Sequence, residues 1–405
     1  MKDWWTWEST DLVTWTLGGI LYPNQTTAAP SAYNECWATD GASRNGQFYF
    51  YLSLGPTQVG VMTSASPTGP WRSPLAAPLL TAAAGAALRP PATFRDPAVF
   101  IDDDGTAYIV AGVFDYYIAQ LNEDMISLAN PAAPFQLVQV LNPTGPYGAK
   151  TDDKPFLHKH NGIYYLSWGC FYGVGSSPRG PFNYTGAVIS PSALAPEFRT
   201  NRSTTGPWYA WEDLADRHGS FWSAKGQSYY ASNDRSHSTD AANPSVYRDT
   251  VIGYAHYYDN GTIAPVAIDA TGVGQHSGAG RIEAEEYFAL AGARKGHDAS
   301  GRFGVHGLVA GRSAVTYPHV RGAGAARRVV LRAANGGSQR GRAVVWAGAR
   351  ALCAAALPAT GGWEAYADCA CEFEGSVGED AELRLTFEGG AEGAELARLD
   401  YLQLL

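Results

Sequence analysis

A hairpin signal near the middle of the chain decides the fold class: residues 153–166 read DKPFLHKHNGIYYL. The Asn161-Gly162 pair favours a two-residue turn because both residues tolerate positive φ, and the flanking segments are rich in aromatic and aliphatic residues. The same strand start, a glycine followed by aromatic residues, recurs around Gly46, Gly105 and Gly226. Successive turn glycines are 59, 57 and 64 residues apart, so the first part of the chain consists of repeated units.

Repeats of about 60 residues, each a small antiparallel sheet, are typical of propeller blades, which bury the faces of each sheet against neighbouring blades. A β-sandwich with accidental periodicity is the alternative. Aromatic residues make up 12% of the chain, and 46 glycines and 24 prolines interrupt it at short intervals. This composition favours short strands joined by turns over long helices. We therefore predict an all-β propeller.

The composition changes near residue 275. Residues 1–280 hold 40 of the 50 aromatic residues, and residues 281–405 hold 10. The small residues of segment 270–280 are typical of a linker. We predict a propeller domain over residues 1–272, a linker over 273–280 and a second domain over 281–405.

The charge of the chain excludes some partners. The net charge is −9 and only 17% of the residues are charged, which argues against a nucleic-acid-binding protein or a polybasic membrane-surface protein. The longest apolar-leaning stretch, Leu75 to Leu88, is too short to span a bilayer. We expect neither nucleic acid nor membrane as a partner, and we expect a monomer.

The repeat register predicts a cavity. The innermost strand of each unit should begin about nine residues before the turn glycine, and innermost strands line the channel of a propeller. Counting back reaches Trp37, Asp96, Asp153 and His218. Two carboxylates and a histidine would then face one cavity, which is the equipment for glycoside hydrolysis. Asp152 is an alternative to Asp153, although strand alternation points only one of them inward.

The same register leaves the first unit incomplete. Residues 4–15 have the pattern of the outer part of a blade. Their turn glycine should lie about 20–25 residues before Trp15, hence before Met1. The inner strands of the first blade, and any catalytic residue on them, are therefore expected to be missing from this chain.

These motifs resemble glycoside hydrolase family 43, whose members are five-bladed propellers that include β-xylosidases, α-L-arabinofuranosidases and arabinanases. The resemblance rests on residues 95–109 (RDPAVFIDDDGTAYI), on residues 153–166 and on the segment from His218 to Phe221. It spans about residues 4–272.

The resemblance implies roles for individual residues. Asp153 matches the general-acid Glu of the family's Glu-Gly-Pro motif and is one methylene shorter, and Asp96 matches the carboxylate that modulates the pKa of the acid. Trp37 and Arg248 would contact substrate, and His218 would hold a central cation or water. Family members invert configuration and use an Asp in the first blade as general base, and that position has no counterpart here.

The last 125 residues have a different signature. Alternating strands between Arg281 and Leu404 predict a β-sandwich. The segment resembles a family 6 carbohydrate-binding module, in which Glu283, Glu285 and Asp400 would bind a structural calcium and Trp363 would stack on a sugar. A core position is the alternative for Trp363.

The chain has five cysteines without metal-site spacing. A disulfide from Cys353 to either Cys369 or Cys371 is expected, and the odd count leaves at least one free thiol.

These features together predict a secreted inverting glycosidase that cleaves hemicellulose-type oligosaccharides or polysaccharides and needs no cofactor for catalysis. Because the general base is absent, a catalytically impaired carbohydrate-binding protein is the alternative. A five-bladed enzyme acting on fructans ranks last, because the expected Asn-Asp-Pro-Asn box does not occur.

Overall fold

The computed structural model describes residues 3–26, 36–143, 151–190, 193, 195–196, 217–234 and 249–405. Strands dominate these residues, and the one α-helix among them is the short α1 (Ala82–Ala87). Thr81 caps this helix, because its Oγ1 accepts a hydrogen bond from the backbone N–H of Ala84 at 3.2 Å.

The strands before residue 255 form the propeller part of the described chain. They are β1 (Trp4–Glu8), β2 (Thr16–Leu21), β3 (Thr39–Arg44), β4 (Gln47–Ser53), β5 (Val59–Ser64), β6 (Ala98–Ile101), β7 (Ala107–Val113), β8 (Asp115–Leu121), β9 (Phe135–Leu137), β10 (Val140–Leu141), β11 (Phe156–His160), β12 (Ile163–Trp168), β13 (Phe171–Gly175), β14 (Phe182–Ala187), β15 (Gly219–Ala224), β16 (Gln227–Asp234) and β17 (Asp249–Tyr254). Within the described residues they make five sheets, with the orders β1-β2, β3-β4-β5, β6-β7-β8-β9, β10-β14-β13-β12-β11 and β15-β16-β17. Successive sheets follow the chain, so the predicted propeller is confirmed.

The first sheet has two strands among the described residues, in agreement with the outer part of a blade. Trp4 pairs with Leu21 across β1 and β2. Both side chains are buried, with 5% and 2% of their surface exposed, and they pack with Leu52 and Met62 of the second sheet. This apolar cluster joins the first sheet to the second.

The predicted turns lie where the sequence places them. Asn161 and Gly162 have φ values of 48° and 80° and connect β11 to β12, whose register pairs His160 with Ile163. Only residues that tolerate the left-handed region fit this turn, because it holds two strands with the right-handed twist of the sheet.

Neighbouring sheets bury apolar side chains against one another. Tyr51 of β4 and Ile109 of β7 are almost fully buried, and they share a cluster with Phe94 and Tyr117. Burial of each such side chain contributes about 1.5–3 kcal/mol. The phenol of Tyr51 also donates a hydrogen bond to the carbonyl of Met125 at 2.5 Å, which satisfies its one buried polar group.

The remaining strands form a β-sandwich. They are β18 (Gln275–Ser277), β19 (Arg281–Glu283), β20 (Ala289–Ala291), β21 (Arg294–His297), β22 (Phe303–Val309), β23 (Ala314–Arg321), β24 (Arg328–Ala334), β25 (Gly341–Ala347), β26 (Arg350–Leu357), β27 (Ala367–Glu372), β28 (Asp380–Gly389) and β29 (Glu395–Leu404). One sheet has the order β18-β23-β28-β25-β26 with β20 on β23, and the other has the order β21-β22-β29-β24-β27 with β19 on β29. The core between them includes Tyr317 and Leu385 of one sheet and Leu331 and Leu402 of the other, all with 0% exposure. The predicted sandwich is therefore confirmed.

A disulfide joins Cys353 of β26 to Cys371 of β27 and so links the two sheets of the sandwich. This confirms the predicted bridge from Cys353 and selects Cys371 over Cys369. Among the described residues Cys36, Cys170 and Cys369 are buried free thiols.

The described residues group into two compact units. One takes those within 1–8, 15–220 and 231–251, and the other takes those within 9–14, 221–230 and 252–405. The linker predicted at residues 273–280 stays a prediction.

Candidate active site

Four residues that the register predicts as channel-facing stand at the entries of inner strands. Trp37 and Asp96 come two residues before β3 and β6, Asp153 comes three residues before β11, and His218 directly precedes β15. Each entry belongs to a different sheet. The fold therefore brings together side chains that are more than 50 residues apart in the chain.

Asp153 and His218 are in direct contact. Asp153 Oδ1 lies 2.6 Å from His218 Nε2, and the two side chains expose 22% and 14% of their surface. The backbone of His218 is fixed by β16, because its N–H donates a hydrogen bond to Asn233 Oδ1 at 2.6 Å and its carbonyl accepts one from the Asn233 N–H at 3.2 Å. The imidazole is thereby held against the carboxylate predicted to be the acid.

Asp96 is the deeper of the two predicted carboxylates. It is 3% exposed and has a φ of 53°, a left-handed conformation that Asp tolerates better than most residues. Its backbone N–H donates a hydrogen bond to Ser53 Oγ at 2.9 Å. Burial raises the pKa of Asp96, and the negative charge of Asp153 raises it further. The two carboxylates therefore interact electrostatically.

Arg95 joins three of the predicted residues, and the sequence reasoning missed it. Its Nε lies 3.7 Å from Asp96 Oδ2, and its Nη2 lies 3.7 Å from Asp153 Oδ2. Its Cζ lies 5.0 Å from the centre of the Trp37 ring. Its one signal in the sequence is that it directly precedes Asp96, and adjacency does not show which way a long side chain turns.

A second cation, Lys154, is buried beside the carboxylates. It is 6% exposed, its φ is 51°, and its Nζ donates a hydrogen bond to the Pro97 carbonyl at 3.0 Å. Burial lowers the pKa of Lys154, and nearby negative charge, above all that of Asp40, opposes this shift. Asp40 Oδ2 in turn accepts a hydrogen bond from the Val99 N–H at 2.8 Å and ties β3 to β6. Burial raises the pKa of Asp40.

Other predicted elements of this site stay predictions. Arg248 lies outside the described residues. A cation beside His218 is not tested, and no group of three His, Cys, Asp or Glu side chains in the described part of the chain could hold a metal ion. The missing general base likewise stays a prediction.

Trp363 of the sandwich lies in the connection between β26 and β27 and is half-buried. The Arg398 guanidinium carbon lies 5.4 Å from the centre of its ring. The backbone of Gly336 approaches it so closely that a Cβ there would be 2.6 Å from Trp363 Cγ. Part of the ring is covered, so its sugar-stacking role stays a prediction.

The predicted calcium ligands Glu283, Glu285 and Asp400 differ in their surroundings. Glu285 Oε2 and Asp400 Oδ1 are buried, and neither has a hydrogen-bond partner among the described residues. Burial, followed by the charges of neighbouring acids, raises the pKa of Glu285 to about 8. Carboxylate oxygens are the ligands that calcium prefers, but the described residues, these three acids among them, contain no group of three His, Cys, Asp or Glu side chains that could hold a metal ion. Glu283 instead pairs with Arg281, whose Nε lies 2.9 Å from Glu283 Oε1.

Arginine also contacts the other oxygen of Asp400. Arg302 Nη1 lies 3.2 Å and Arg332 Nε lies 3.5 Å from Asp400 Oδ2. Arg281 Nη2 lies 3.9 Å from Asp400 Oδ1, so arginines flank both oxygens of this carboxylate, and calcium stays a prediction.

A propeller that gathers aspartates, an arginine and a histidine at its strand entries, followed by a β-sandwich, has the architecture of a modular glycoside hydrolase. Residues 1–261 match the family description "Glycosyl hydrolases family 43", and residues 283–405 match "Carbohydrate binding module (family 6)". The chain belongs to family 43 of the glycosyl hydrolases, as the sequence motifs indicate.

Two bacterial relatives are named as arabinoxylan arabinofuranohydrolases. The one from Paenibacillus polymyxa is 29% identical over 301 residues, which are 68% of this chain and 46% of the relative. The one from Bacillus subtilis (strain 168) is 32% identical over 219 residues, which are 46% of this chain and 42% of the relative. The chain thus spans less than half the length of these two relatives.

Solved structures agree with the fold. A family 43 arabinoxylan arabinofuranohydrolase from Bacillus subtilis aligns with a TM-score of 0.54 at 23% identity, over all of this chain and 87% of that one. A family 43 enzyme from Xanthomonas citri aligns with a TM-score of 0.51 at 24% identity, over 66% of this chain and 82% of that one. No helix among the described residues is long and apolar enough to cross a membrane.

Proposed function

We propose that this chain is an inverting glycosidase that removes xylosyl or arabinofuranosyl units from hemicellulose. The observation that carries the proposal is the meeting of Asp96 and Asp153 around Arg95, at the entries of two neighbouring inner strands. Paired carboxylates are the groups that glycoside hydrolysis needs.

Each carboxylate has a separate proposed role. Asp153, the more exposed of the pair, would protonate the oxygen of the leaving group. Asp96 is buried near Asp153. Its negative charge would favour the protonated form of the Asp153 acid through charge repulsion. His218 would orient the acid through its 2.6 Å contact with Asp153. Arg248 and Trp37 would help to bind substrate.

Inversion also needs a base that activates water on the opposite face of the sugar. In this proposal that role falls to a group other than Asp96 and Asp153. Carboxylates and water carry out the whole reaction, and the family needs no cofactor for catalysis.

The relatives support the substrate class and the enzymatic reading. Two are named for arabinoxylan, and a Bacteroides ovatus relative, 25% identical over 266 residues, is named as a xylosidase/arabinosidase. Because these relatives are all named as hydrolytic enzymes, they favour an enzyme over a non-catalytic carbohydrate-binding protein.

For the sandwich we propose that Trp363 stacks on polysaccharide and keeps the enzyme near its substrate. Glu285 and Asp400 would hold a calcium ion that stabilises the module without taking part in the reaction. We further propose that the protein is secreted, where polysaccharide is available, and that it acts as a monomer.

Hydrolysis of p-nitrophenyl β-xyloside, p-nitrophenyl α-L-arabinofuranoside and xylobiose tests the proposal. We expect Asp153→Asn to lower the rate on xylobiose by about 10²–10⁴-fold, because its leaving group needs a proton. The loss on the p-nitrophenyl substrates should be smaller, because p-nitrophenolate leaves without one. Asp152→Asn is the matched control and should retain most activity. An equal loss with both variants, or no turnover by the folded parent chain, would count against the proposal.

A further inference from the structure

Within the described residues, the Arg95 side chain has ion-pair contacts but no hydrogen bond. Its two carboxylate contacts are both 3.7 Å long, which is beyond hydrogen-bond distance. Its Nε is buried, and no partner accepts its proton within the described residues. Because a guanidinium carries five N–H donors and buried donors are nearly always paired, this arrangement leaves donors for a further acceptor.

Contacts with neighbouring residues hold Arg95 in position, although its Nε–H has no acceptor within the described residues. The Trp37 ring lies against the guanidinium, with 5.0 Å between the ring centre and Cζ. The Arg95 carbonyl accepts a hydrogen bond from the Gly112 N–H at 3.2 Å, which ties its backbone to β7. The side chain keeps 24% of its surface exposed. A supported and partly exposed guanidinium is suited to binding a ligand rather than to filling space.

The surrounding charge selects the kind of ligand. Asp96 and Asp153 both lie near the guanidinium, so an anionic ligand would meet two carboxylates together with one arginine. A neutral ligand with adjacent hydroxyl groups meets no such repulsion, and its oxygens can accept the fork of parallel N–H groups. Because Arg95 Nη2 lies 3.7 Å from Asp153 Oδ2, a pentosyl unit that takes a proton from Asp153 would have its hydroxyl groups near the same side chain.

We propose that Arg95 is a substrate-binding residue that donates hydrogen bonds to adjacent hydroxyl groups of a neutral pentosyl unit in the active site. Trp37 then also supports Arg95, because the guanidinium carbon lies 5.0 Å from the centre of its ring. The inference rests on the proposed glycosidase function and adds a substrate contact to it.

The test measures binding separately from catalysis. D-xylose, L-arabinose and xylobiose are titrated into the full chain carrying Asp153→Asn, by calorimetry. Adding Arg95→Gln should weaken the binding of the sugar that binds best about tenfold or more, since hydrogen bonds from charged groups are lost. Arg95→Lys should be intermediate, because it keeps the charge and loses the fork. Arg179→Gln is the matched control, a propeller arginine that stacks on Tyr108, and should bind as the parent does.

Steady-state kinetics distinguish a binding role from a structural one. In the otherwise unaltered chain, Arg95→Gln should raise KM about tenfold and change kcat less, with the same melting temperature. Unchanged sugar binding in Arg95→Gln, or a loss of kcat alone, would overturn the inference and leave the proposed function standing. If Arg95→Gln does not fold, Arg95→Lys decides by the same criteria.

Tighter binding of D-glucuronate than of the neutral sugars would overturn the neutral-pentose assignment. Absence of both sugar binding and turnover in the parent chain would refute the proposed function as well.

Discussion

The chain contains two clusters of buried carboxylates that differ in how their charge is compensated. In the propeller, Asp40, Asp96 and Asp153 lie near Arg95, Lys154 and His218, which come from the same strand entries. In the sandwich, one oxygen of Glu285 and one of Asp400 are buried without a hydrogen-bond partner in the described part. The propeller carboxylates have cations at their own strand entries, whereas in the sandwich arginines contact Asp400 and the buried Glu285 oxygen is left for a proton or a metal ion.

Removal of Lys154 tests the compensation in the propeller and should give the largest change in stability. Lys154→Met removes the cation that opposes the charge of the buried Asp40, so we expect the free energy of unfolding to fall by about 3 kcal/mol. The loss should be larger at pH 8 than at pH 5, because the carboxylates can take up protons at the lower pH. Denaturant unfolding of the full chain measures both values.

Lys225→Met is the control for that change. Lys225 is exposed and has a φ of 52°, almost the same backbone conformation as Lys154. A loss of stability from Lys225→Met equal to that from Lys154→Met would show that the strained backbone, rather than the buried charge, is responsible.

Calcium tests the sandwich cluster and should give the next largest effect. A concentration about 100 times Kd stabilises a folded site by about 2.7 kcal/mol, so the melting temperature should rise in calcium relative to EGTA. Asp400→Asn should abolish the rise, and magnesium should not replace calcium because it demands a more rigid geometry. A melting temperature that does not respond to calcium would show that the arginines alone compensate the cluster.

Acid sensitivity of the sandwich should give the smallest effect. His306 is 2% exposed, and burial lowers its pKa to about 4. The unfolded chain binds a proton at this histidine near pH 6.5 and the folded chain does not, so stability is present above pH 6.5 and is lost as the pH falls towards 4. The loss should reach about 2 kcal/mol by pH 5. Urea unfolding at several pH values measures it, and His306→Gln should flatten the curve. An unchanged slope in that variant would refute the assignment.

The sequence predicted the framework of the site because glycine turns repeat at nearly constant intervals. Counting back from Gly162 reaches Asp153, and counting back from Gly226 reaches His218, and the structure brings these two residues into contact. The spacing works because each blade has nearly the same number of residues from strand entry to turn, nine in three units and eight in the unit of His218.

The cations of the propeller site were not predictable in the same way. Arg95 and Lys154 are neighbours of the predicted carboxylates in the chain, but spacing does not show whether a long side chain turns inward or towards solvent. The disulfide partner of Cys353 was also not predictable from spacing. Cys369 and Cys371 lie on the same face of a strand, and only the relative position of β26 and β27 selects Cys371.

The stereochemistry of the first product tests the central claim most directly. Proton NMR can follow the hydrolysis of p-nitrophenyl β-D-xyloside by the full chain and by Asp153→Asn, before the released sugar equilibrates. We predict that α-xylose appears first, and that with xylobiose its release depends on Asp153. Initial release of β-xylose, or release from xylobiose at the same rate by both proteins, would contradict it.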